Sequence, residues 1–314
     1  MIKTRLTDLF ELSTPIVSAP MAFAAGGNLA AAVSSAGGLG LIGGGYGDPD
    51  WVETEFSNAG NQAVGCGFIT WKLAENDKAL HVALEHKPKA FMLSFGDPKP
   101  YAKAIRQAGA KLICQVQDLT TAKQAISAGA DVLVAQGGEA GGHGASRSTF
   151  TLVPEIVDLC QATAPNTLVL AAGGVADGRG LAASLMLGAD GVLVGSRLWA
   201  SSEATVHQNF LKAAVQATGD QTSKTSIADI ARGYDWPAPF QIRTLSTKPM
   251  ETWDGSTEQA QAYLTAMTSG NAEHAGAVVG EVVGLINDVP SAGELITRMT
   301  NEAETLLNSP PTYP

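Results

Sequence analysis

The chain has 314 residues, 45% of them hydrophobic and 16% charged, and its 20 Lys and Arg against 30 Asp and Glu leave a formal charge of −10. That composition supports a large buried core and argues against disorder, while the acidic balance argues against a nucleic-acid surface, which needs a basic stripe to neutralise phosphates. No apolar run approaches the ~18 residues of a membrane-spanning helix, so no membrane partner is expected.

The first twelve residues mix Lys3, Arg5, Asp8 and Glu11 with apolar side chains and lack the core of a signal peptide. Cys66, Cys114 and Cys160 lie far apart without metal-ligand spacing. They are expected as buried apolar thiols in a reducing, cytoplasmic compartment, and no metal is expected.

In chain order, eight short apolar runs without polar alternation read as parallel strands covered on both sides: 16–19, 39–42, 63–68, 90–94, 111–115, 132–135, 168–172 and 191–194. Segments 28–36, 99–108, 120–128, 153–163 and 177–187 read as the helices between them, with Asn28, Thr120 and Asp177 suited to N-cap positions. Segment 205–217 would close the eighth unit. Ala108-Gly109-Ala110-Lys111, Ala128-Gly129-Ala130-Asp131 and Leu187-Gly188-Ala189-Asp190 are three copies of one corner, in which the Gly ends a helix and a small Ala starts the next strand.

This alternation predicts an α/β fold, a (β/α)8 TIM barrel. A doubly wound open sheet is the alternative, and glycine-rich turns placed after late strands count against it. Beyond Ser196 the pattern changes, and residues 219–258 are polar with aromatic and Pro punctuation. The expected division is a barrel of 1–200 plus 275–308, with 201–274 as a helical and irregular lobe over the active-site face. Segments 275–286 and 292–307 read as closing helices, and 309–314 as a loose tail.

Three stretches carry chemistry. Ala171-Ala172-Gly173-Gly174-Val175-Ala176-Asp177-Gly178-Arg179 follows the seventh strand, and Val194-Gly195-Ser196-Arg197 follows the eighth. Glycines at a strand-to-helix turn let backbone N–H groups converge on an anion, and the helix N-terminus adds a positive dipole. The loops after strands seven and eight form a common phosphate site in such barrels, so a phosphate is expected there in preference to two empty turns. The chain's net negative charge does not oppose this, because a local cradle of amides is independent of it. Arg179 and Arg197 each read either as phosphate contacts or as surface and ion-pair residues. Asp177 is best explained as a helix cap, since a carboxylate facing a phosphate would repel it.

Gln136-Gly137-Gly138-Glu139-Ala140-Gly141-Gly142-His143-Gly144 follows the sixth strand. Such a backbone can press against a flat ligand and hold an imidazole over it. His81, His86, His207 and His274 fall in helices or in the lobe. His143 alone lies at the C-terminal end of a strand, where barrel active sites are built, and is the candidate catalytic residue. Glu139 reads equally as a hydrogen-bond acceptor behind the site or as a loop charge.

Ala19-Pro20-Met21 ends the first strand, followed by Ala24, Ala25, Gly26 and Gly27. The small residues leave room for a planar ring, and Pro20 fixes the chain so that neighbouring amides point inward; ordinary core is the other reading. Gly65-Cys66-Gly67-Phe68 and Gln115 add further contacts. Gln115, polar at an inward strand end, either bonds a heterocycle or satisfies a buried backbone group.

Together, Ala19-Pro20-Met21, Ser35-Ala36-Gly37-Gly38-Leu39-Gly40, Gln136 through Gly144, Ala172-Gly173-Gly174-Val175 and Gly195-Ser196-Arg197 resemble the nitronate monooxygenase family, formerly called 2-nitropropane dioxygenases. The resemblance is detailed over residues 10–200 and looser afterwards. It implies a (β/α)8 barrel that binds FMN non-covalently. It implies that Ala19, Pro20 and Met21 contact the isoalloxazine through backbone groups, that Gly67 lies near the ring and Gln115 beside its polar edge. It also implies that Gly141 packs near the flavin next to the catalytic His143, and that Gly173, Gly174, Gly195 and Ser196 hold the phosphate.

Related members of that family act as NADH:quinone reductases or FMN-dependent enoyl-thioester reductases. Some carry Lys in place of Gln115, which alters the charge near the flavin. The string from Glu139 to Gly144 is closer to the nitronate-oxidising branch.

The expected activity is therefore FMN-dependent oxidation of alkyl nitronates, with neutral nitroalkanes as a further substrate class, by O2 to a carbonyl compound and nitrite. The expected partners are the small-molecule nitronate and O2, with no nucleic acid and no membrane; a homo-oligomer is left open. One alternative on the same scaffold is an NAD(P)H-dependent flavin reductase acting on a quinone or an enoyl thioester. Others are a flavin-free barrel lyase or isomerase that uses the same loops for a substrate phosphate, and a non-catalytic flavin-binding module, which has no need of His143 over the ring.

Overall fold

The computed structural model describes residues 2–309. Its strands are β1 (Ile16–Ser18), β2 (Leu41–Gly45), β3 (Gly65–Ile69), β4 (Ala90–Ser94), β5 (Lys111–Val116), β6 (Val132–Gln136), β7 (Gly142–Gly144), β8 (Leu168–Ala172), β9 (Gly191–Val194), β10 (Thr222–Thr225) and β11 (Gln241–Leu245). Eight of them pair in parallel in the order β1-β9-β8-β6-β5-β4-β3-β2. A parallel bridge from Val17 to Leu39, just ahead of β2, brings the two edges together into a barrel. All eight expected strands are present, each within a few residues of its expected bounds.

Strands that are apolar on both faces bury both. Val17, Leu41, Met92, Ile113, Val134 and Leu170 form one cluster, and Leu6 and Phe10 of the helix Arg5–Phe10 join it. Their alternation with the neighbouring residues places this cluster in the barrel interior. The intervening residues Ile16, Cys66, Phe91, Leu112, Leu133 and Val192 pack outward among the helices. Each such fully buried side chain contributes about 1.5–3 kcal/mol. Arg5 ties the N-terminal helix down by a two-pronged bond to Asp190, at 2.7 Å on both carboxylate oxygens. All three cysteines are free and buried; burial pushes the Cys66 and Cys114 thiols up to about 12.

The three Ala-Gly corners behave as expected, with Gly109, Gly129 and Gly188 at φ of 78°, 82° and 92°. Asp177 caps the helix Gly178–Met186 by accepting from the N–H groups of Arg179 and Gly180. The other two caps differ from expectation. The helix Gly27–Ser35 begins one residue before Asn28, because the buried Glu55 carboxylate accepts from the Gly27 N–H at 2.7 Å. The helix Leu119–Ala128 is capped by Asp118 in a reciprocal box with Thr121, which leaves Thr120 inside the first turn. Helices Pro49–Ala59 and Lys78–Glu85, not singled out in the sequence, fill the β2–β3 and β3–β4 connections.

Segment 275–286 is not a helix. Its first residues run extended beside β11, where the Leu245 N–H donates to the Ala277 carbonyl at 2.9 Å, and a short 3-10 turn, Glu281–Leu285, follows. Gly276 permits that approach, since a Cβ there would lie 1.9 Å from the Leu245 carbonyl oxygen. The expected closing helix at the end is present as Ala292–Asn308, packed against Gly178–Met186 and Gly27–Ser35. Of the expected tail, 310–314 lie outside the described residues. Segment 205–217 is helical over Gln208–Gln216, with His207 as its N-cap.

The remaining strands form a second sheet, β10-β11-β7, antiparallel throughout. Its third member comes from the loop after β6, and the register pairs His143 with Ile242.

Candidate active site

The C-terminal ends of the barrel strands surround a cavity of about 440 Å³, within the usual range for small-molecule sites. The residues that the family resemblance assigns to the site all line it: Ala19, Pro20, Met21, Gly67, Gln115, Gly141, His143, Gly173, Gly174, Gly195 and Ser196. Phe210, Arg232, Trp236, Tyr263 and Met267, from beyond the last barrel strand, add to its wall.

One end of the cavity is made of backbone. Gly173 and Gly174 take φ of 98° and 76° in succession, a conformation that turns consecutive N–H groups to one side. Among the described residues, the N–H groups of Gly174, Val175, Gly195 and Ser196 donate to no protein acceptor, and all four residues line the cavity. A Cβ at Gly174 would meet nothing within 4 Å, so the space in front of it is open. Unpaired amides facing an open space fit an anionic group such as a terminal phosphate.

Neither arginine of these turns lines the cavity. Arg179 is held by Asp177 on the helix surface. Arg197 is buried and donates to the carboxylate and carbonyl of Asp288. Burial lowers its pKa, and Asp288 opposes that shift.

Two other glycines serve packing as well as lining. A Cβ at Gly67 would lie 2.3 Å from Pro20 Cγ, so its bareness lets the Pro20 turn settle against β3. A Cβ at Gly141 would lie 2.5 Å from the Gly280 nitrogen, so its bareness lets the rim loop press on the segment that follows the lobe.

Another part of the wall is made of side chains. His143 Nε2 lies 2.9 Å from both carboxylate oxygens of Asp229. Asp229 is 1% exposed and also accepts from Arg232 Nη2 at 2.6 Å. The Trp236 ring stacks on the imidazole at 3.4 Å, and Phe95 meets it edge-on. Burial lowers the His143 pKa below its ordinary 6.5; Asp229 opposes that shift and Arg232 adds to it. Among the described residues no partner bonds His143 Nδ1.

The backbone of His143 is fixed by a glutamine relay. Gln136 Nε2 donates to the His143 carbonyl at 2.9 Å, and Gln136 Oε1 accepts from Gln115 and Gln117 at 3.0 Å each. Gln115 therefore has a protein partner in addition to its place on the wall. Glu139 accepts from the Thr149 N–H and hydroxyl at the start of the helix Thr149–Thr163, so it holds the loop.

Asp229, Arg232, Trp236, Gln136 and Phe95 complete the site and were not assigned to it from sequence. Asp229 and Arg232 stand one turn apart on the short helix Ile227–Arg232. His207, expected in the lobe or a helix, also reaches the cavity wall while capping its helix. Among the described residues there is no cluster suited to a metal and no helix long and apolar enough to cross a membrane.

A barrel of this kind, with an imidazole and a bed of unpaired amides at its C-terminal mouth, defines an enzyme of the (β/α)8 class. The chain matches the family described as nitronate monooxygenase over residues 3–64 and 67–302, and it belongs to that family, a family of flavin-dependent oxidoreductases. Nitronate monooxygenase npaC of Metarhizium robertsii is 33% identical over 94% of this chain and 92% of its own. A hydroxy-methyl-oxo-octahydro-indene carboxyl-CoA dehydrogenase of Mycobacterium tuberculosis is 27% identical over 98% of each chain. The structure of FabK from Thermotoga maritima superposes with a TM-score of 0.84 at 32% identity, over 98% of each chain.

Proposed function

We propose that the protein is an FMN-dependent, cytoplasmic oxidase of alkyl nitronates that also accepts neutral nitroalkanes, with 201–274 as a lobe covering the active-site face of the barrel. The observation that carries this reading is His143, held on the cavity wall by Asp229 with Nδ1 free of any partner among the described residues.

The four unpaired amides of the Gly174 and Gly195 turns would hold the FMN phosphate. Gly67, the Ala19–Met21 turn and Gln115 would border the ring. The bound flavin supplies the redox chemistry between the substrate and O2. The protein's own part is to bind, orient and move a proton. A nitroalkane must lose its α-proton to become a nitronate, and a neutral imidazole Nδ1 can accept it. Overall, two nitronates and one O2 give two carbonyl compounds and two nitrites, each carbon gaining one oxygen atom as its bond to nitrogen breaks.

The identity to FabK favours a second reading, a reductase on the same scaffold. The cavity chemistry weighs against it. Among the described lining residues Arg232 is the one Lys or Arg, and Asp229 already holds it. The pyrophosphate of a nicotinamide dinucleotide would then have only backbone amides to meet, and the unpaired ones at Gly174 and Gly195 would already hold the FMN phosphate.

Two measurements test the proposal. Cofactor released by heat and weighed by mass spectrometry should be FMN, and recovery of FAD or of nothing ends the assignment. Anaerobic mixing should show ethyl nitronate reducing the bound flavin and NADH reducing it poorly. Fast reduction by NADH with inert nitronate moves the protein to the reductase branch.

A further inference from the structure

We propose that Asp229 and Arg232 are positioning residues for His143: Asp229 fixes the imidazole as the tautomer with hydrogen on Nε2 and the lone pair on Nδ1, and Arg232 offsets the carboxylate so that the ring stays neutral. This rests on the base role proposed for His143.

An ionised carboxylate has only acceptor sites. With both oxygens 2.9 Å from Nε2, that nitrogen must donate. In a neutral ring the lone pair is then left on Nδ1. The ring is fixed by more than this contact. Trp236 covers one face at 3.4 Å, and the His143 carbonyl is tied to Gln136. A flip of the ring would keep the stack but put a carbon where Nε2 stands, and so would lose the Asp229 bond.

Arg232 makes the arrangement different from a simple acid–histidine pair. A buried carboxylate alone stabilises imidazolium, and a protonated ring cannot act as a base. Here Arg232 Nη2 bonds Asp229 Oδ1 at 2.6 Å, its Nε bonds the Ala228 carbonyl at 2.9 Å, and its guanidinium lies 5.3 Å from the Tyr234 ring centre. Asp229 and Arg232 together carry no net charge. A proton on His143 would add an uncompensated positive charge to a buried site, which burial opposes.

No other charge alters this balance among the described residues around the ring. Trp236 and Phe95 are neutral. The phenol of Tyr46 is pushed up to about 12 by burial, and that of Tyr263 is raised for the same reason, so both stay neutral. If the ion pair served folding alone, Asp229 and Arg232 would satisfy each other one turn apart, and the carboxylate would have no need to meet Nε2 with both oxygens.

The test is a ¹⁵N NMR titration of the histidines in the purified protein, with His143 assigned by the signals lost in His143→Gln. The wild type should show the Nε2–H tautomer and titrate below 6.5. Asp229→Asn removes the charge and offers an amide that can accept from or donate to Nε2, so the second tautomer should appear and the titration should move lower. Arg232→Gln removes the offsetting cation, so the titration should move higher.

Turnover supplies a separate readout. Asp229→Asn should lower kcat on neutral nitroethane by tenfold or more, short of the ~10²–10⁴-fold loss of a general base itself, and by more than it lowers kcat on ethyl nitronate. An Nδ1–H tautomer in the wild type, or two variants that shift together or not at all, overturns the proposal. Should Asp229→Asn fail to fold, the wild-type tautomer and Arg232→Gln still decide it. A protein that oxidises neither substrate overturns the proposed activity, while the NMR result still stands for the tautomer.

Discussion

At the Gly174 end of the cavity the wall is backbone; at the His143 end it is side chain. The first end is assembled from two turns of the barrel's own rim, and its working groups are N–H bonds that every residue but proline carries. The second is assembled from Asp229, Arg232 and Trp236, all beyond the last barrel strand, and from a histidine in the loop after β6. On the function proposed above, binding and proton transfer would rest on separable parts of the chain, so substitutions should split them.

The largest split is expected at His143. His143→Asn should keep bound flavin, lose about 10²–10⁴-fold in kcat/KM on neutral nitroethane, and retain much of its turnover of ethyl nitronate. Equal losses on both substrates, corrected for bound flavin, would remove the base role. Undiminished activity on both would remove His143 from the mechanism.

Gly174→Asp attacks the other end. Gly174 sits at φ 76° with open space before it, and Asp is among the side chains that tolerate that backbone conformation. The fold should persist by circular dichroism while flavin per chain, read from visible absorbance, falls about tenfold or more, because a carboxylate would oppose the phosphate. Full occupancy would displace the phosphate from this turn.

The pH profile sharpens the same contrast. Proton abstraction needs a neutral imidazole, and burial lowers the His143 pKa below 6.5. As pH falls, turnover of nitroethane should therefore hold through 6.5 and decline only below it, once the ring is protonated. Oxidation of preformed nitronate should lack that limb. A limb above 6.5 would show that the Asp229 charge outweighs burial.

The smallest effects belong to the scaffold beneath both ends. Gly67→Ala should cost about 1–3 kcal/mol in urea unfolding, because the new Cβ would lie 2.3 Å from Pro20 Cγ. Asp118→Ala should cost about 1 kcal/mol through loss of its capping box. Thr120→Ala, one step inside the same helix, should stay within about 0.5 kcal/mol.

The same division governs what was legible in the sequence. The eight barrel strands could be read because a strand buried on both faces is a continuous apolar run. The Gly173–Gly174 and Gly195 turns could be read because a backbone site leaves its mark as glycine spacing. The His143 loop stood out for its position after a strand, but its partners did not. Asp229 meets it from 86 residues away, and no local pattern distinguishes that carboxylate from one facing water. The misplaced cap at Asn28 has a similar cause, since Glu55 takes over the helix start from 28 residues away. Segment 275–286 was misread because its apolar spacing suits a helix as well as an extended chain, and the contact of Gly276 with Leu245 decides between them.

The pairing of Gly142–Gly144 with Gln241–Leu245 makes the histidine-bearing strand a member of the second sheet, whose other strands lie within 201–274. Barrel and lobe are therefore not interchangeable modules. A chimera that replaced residues 201–274 would keep the β7 pairing and the His143 contact only where the imported segment restores both the β11 edge and a carboxylate at position 229. The unit that can be exchanged is the lobe together with the β6–β8 connection, and inheritance of activity within such a family should follow that pair of segments.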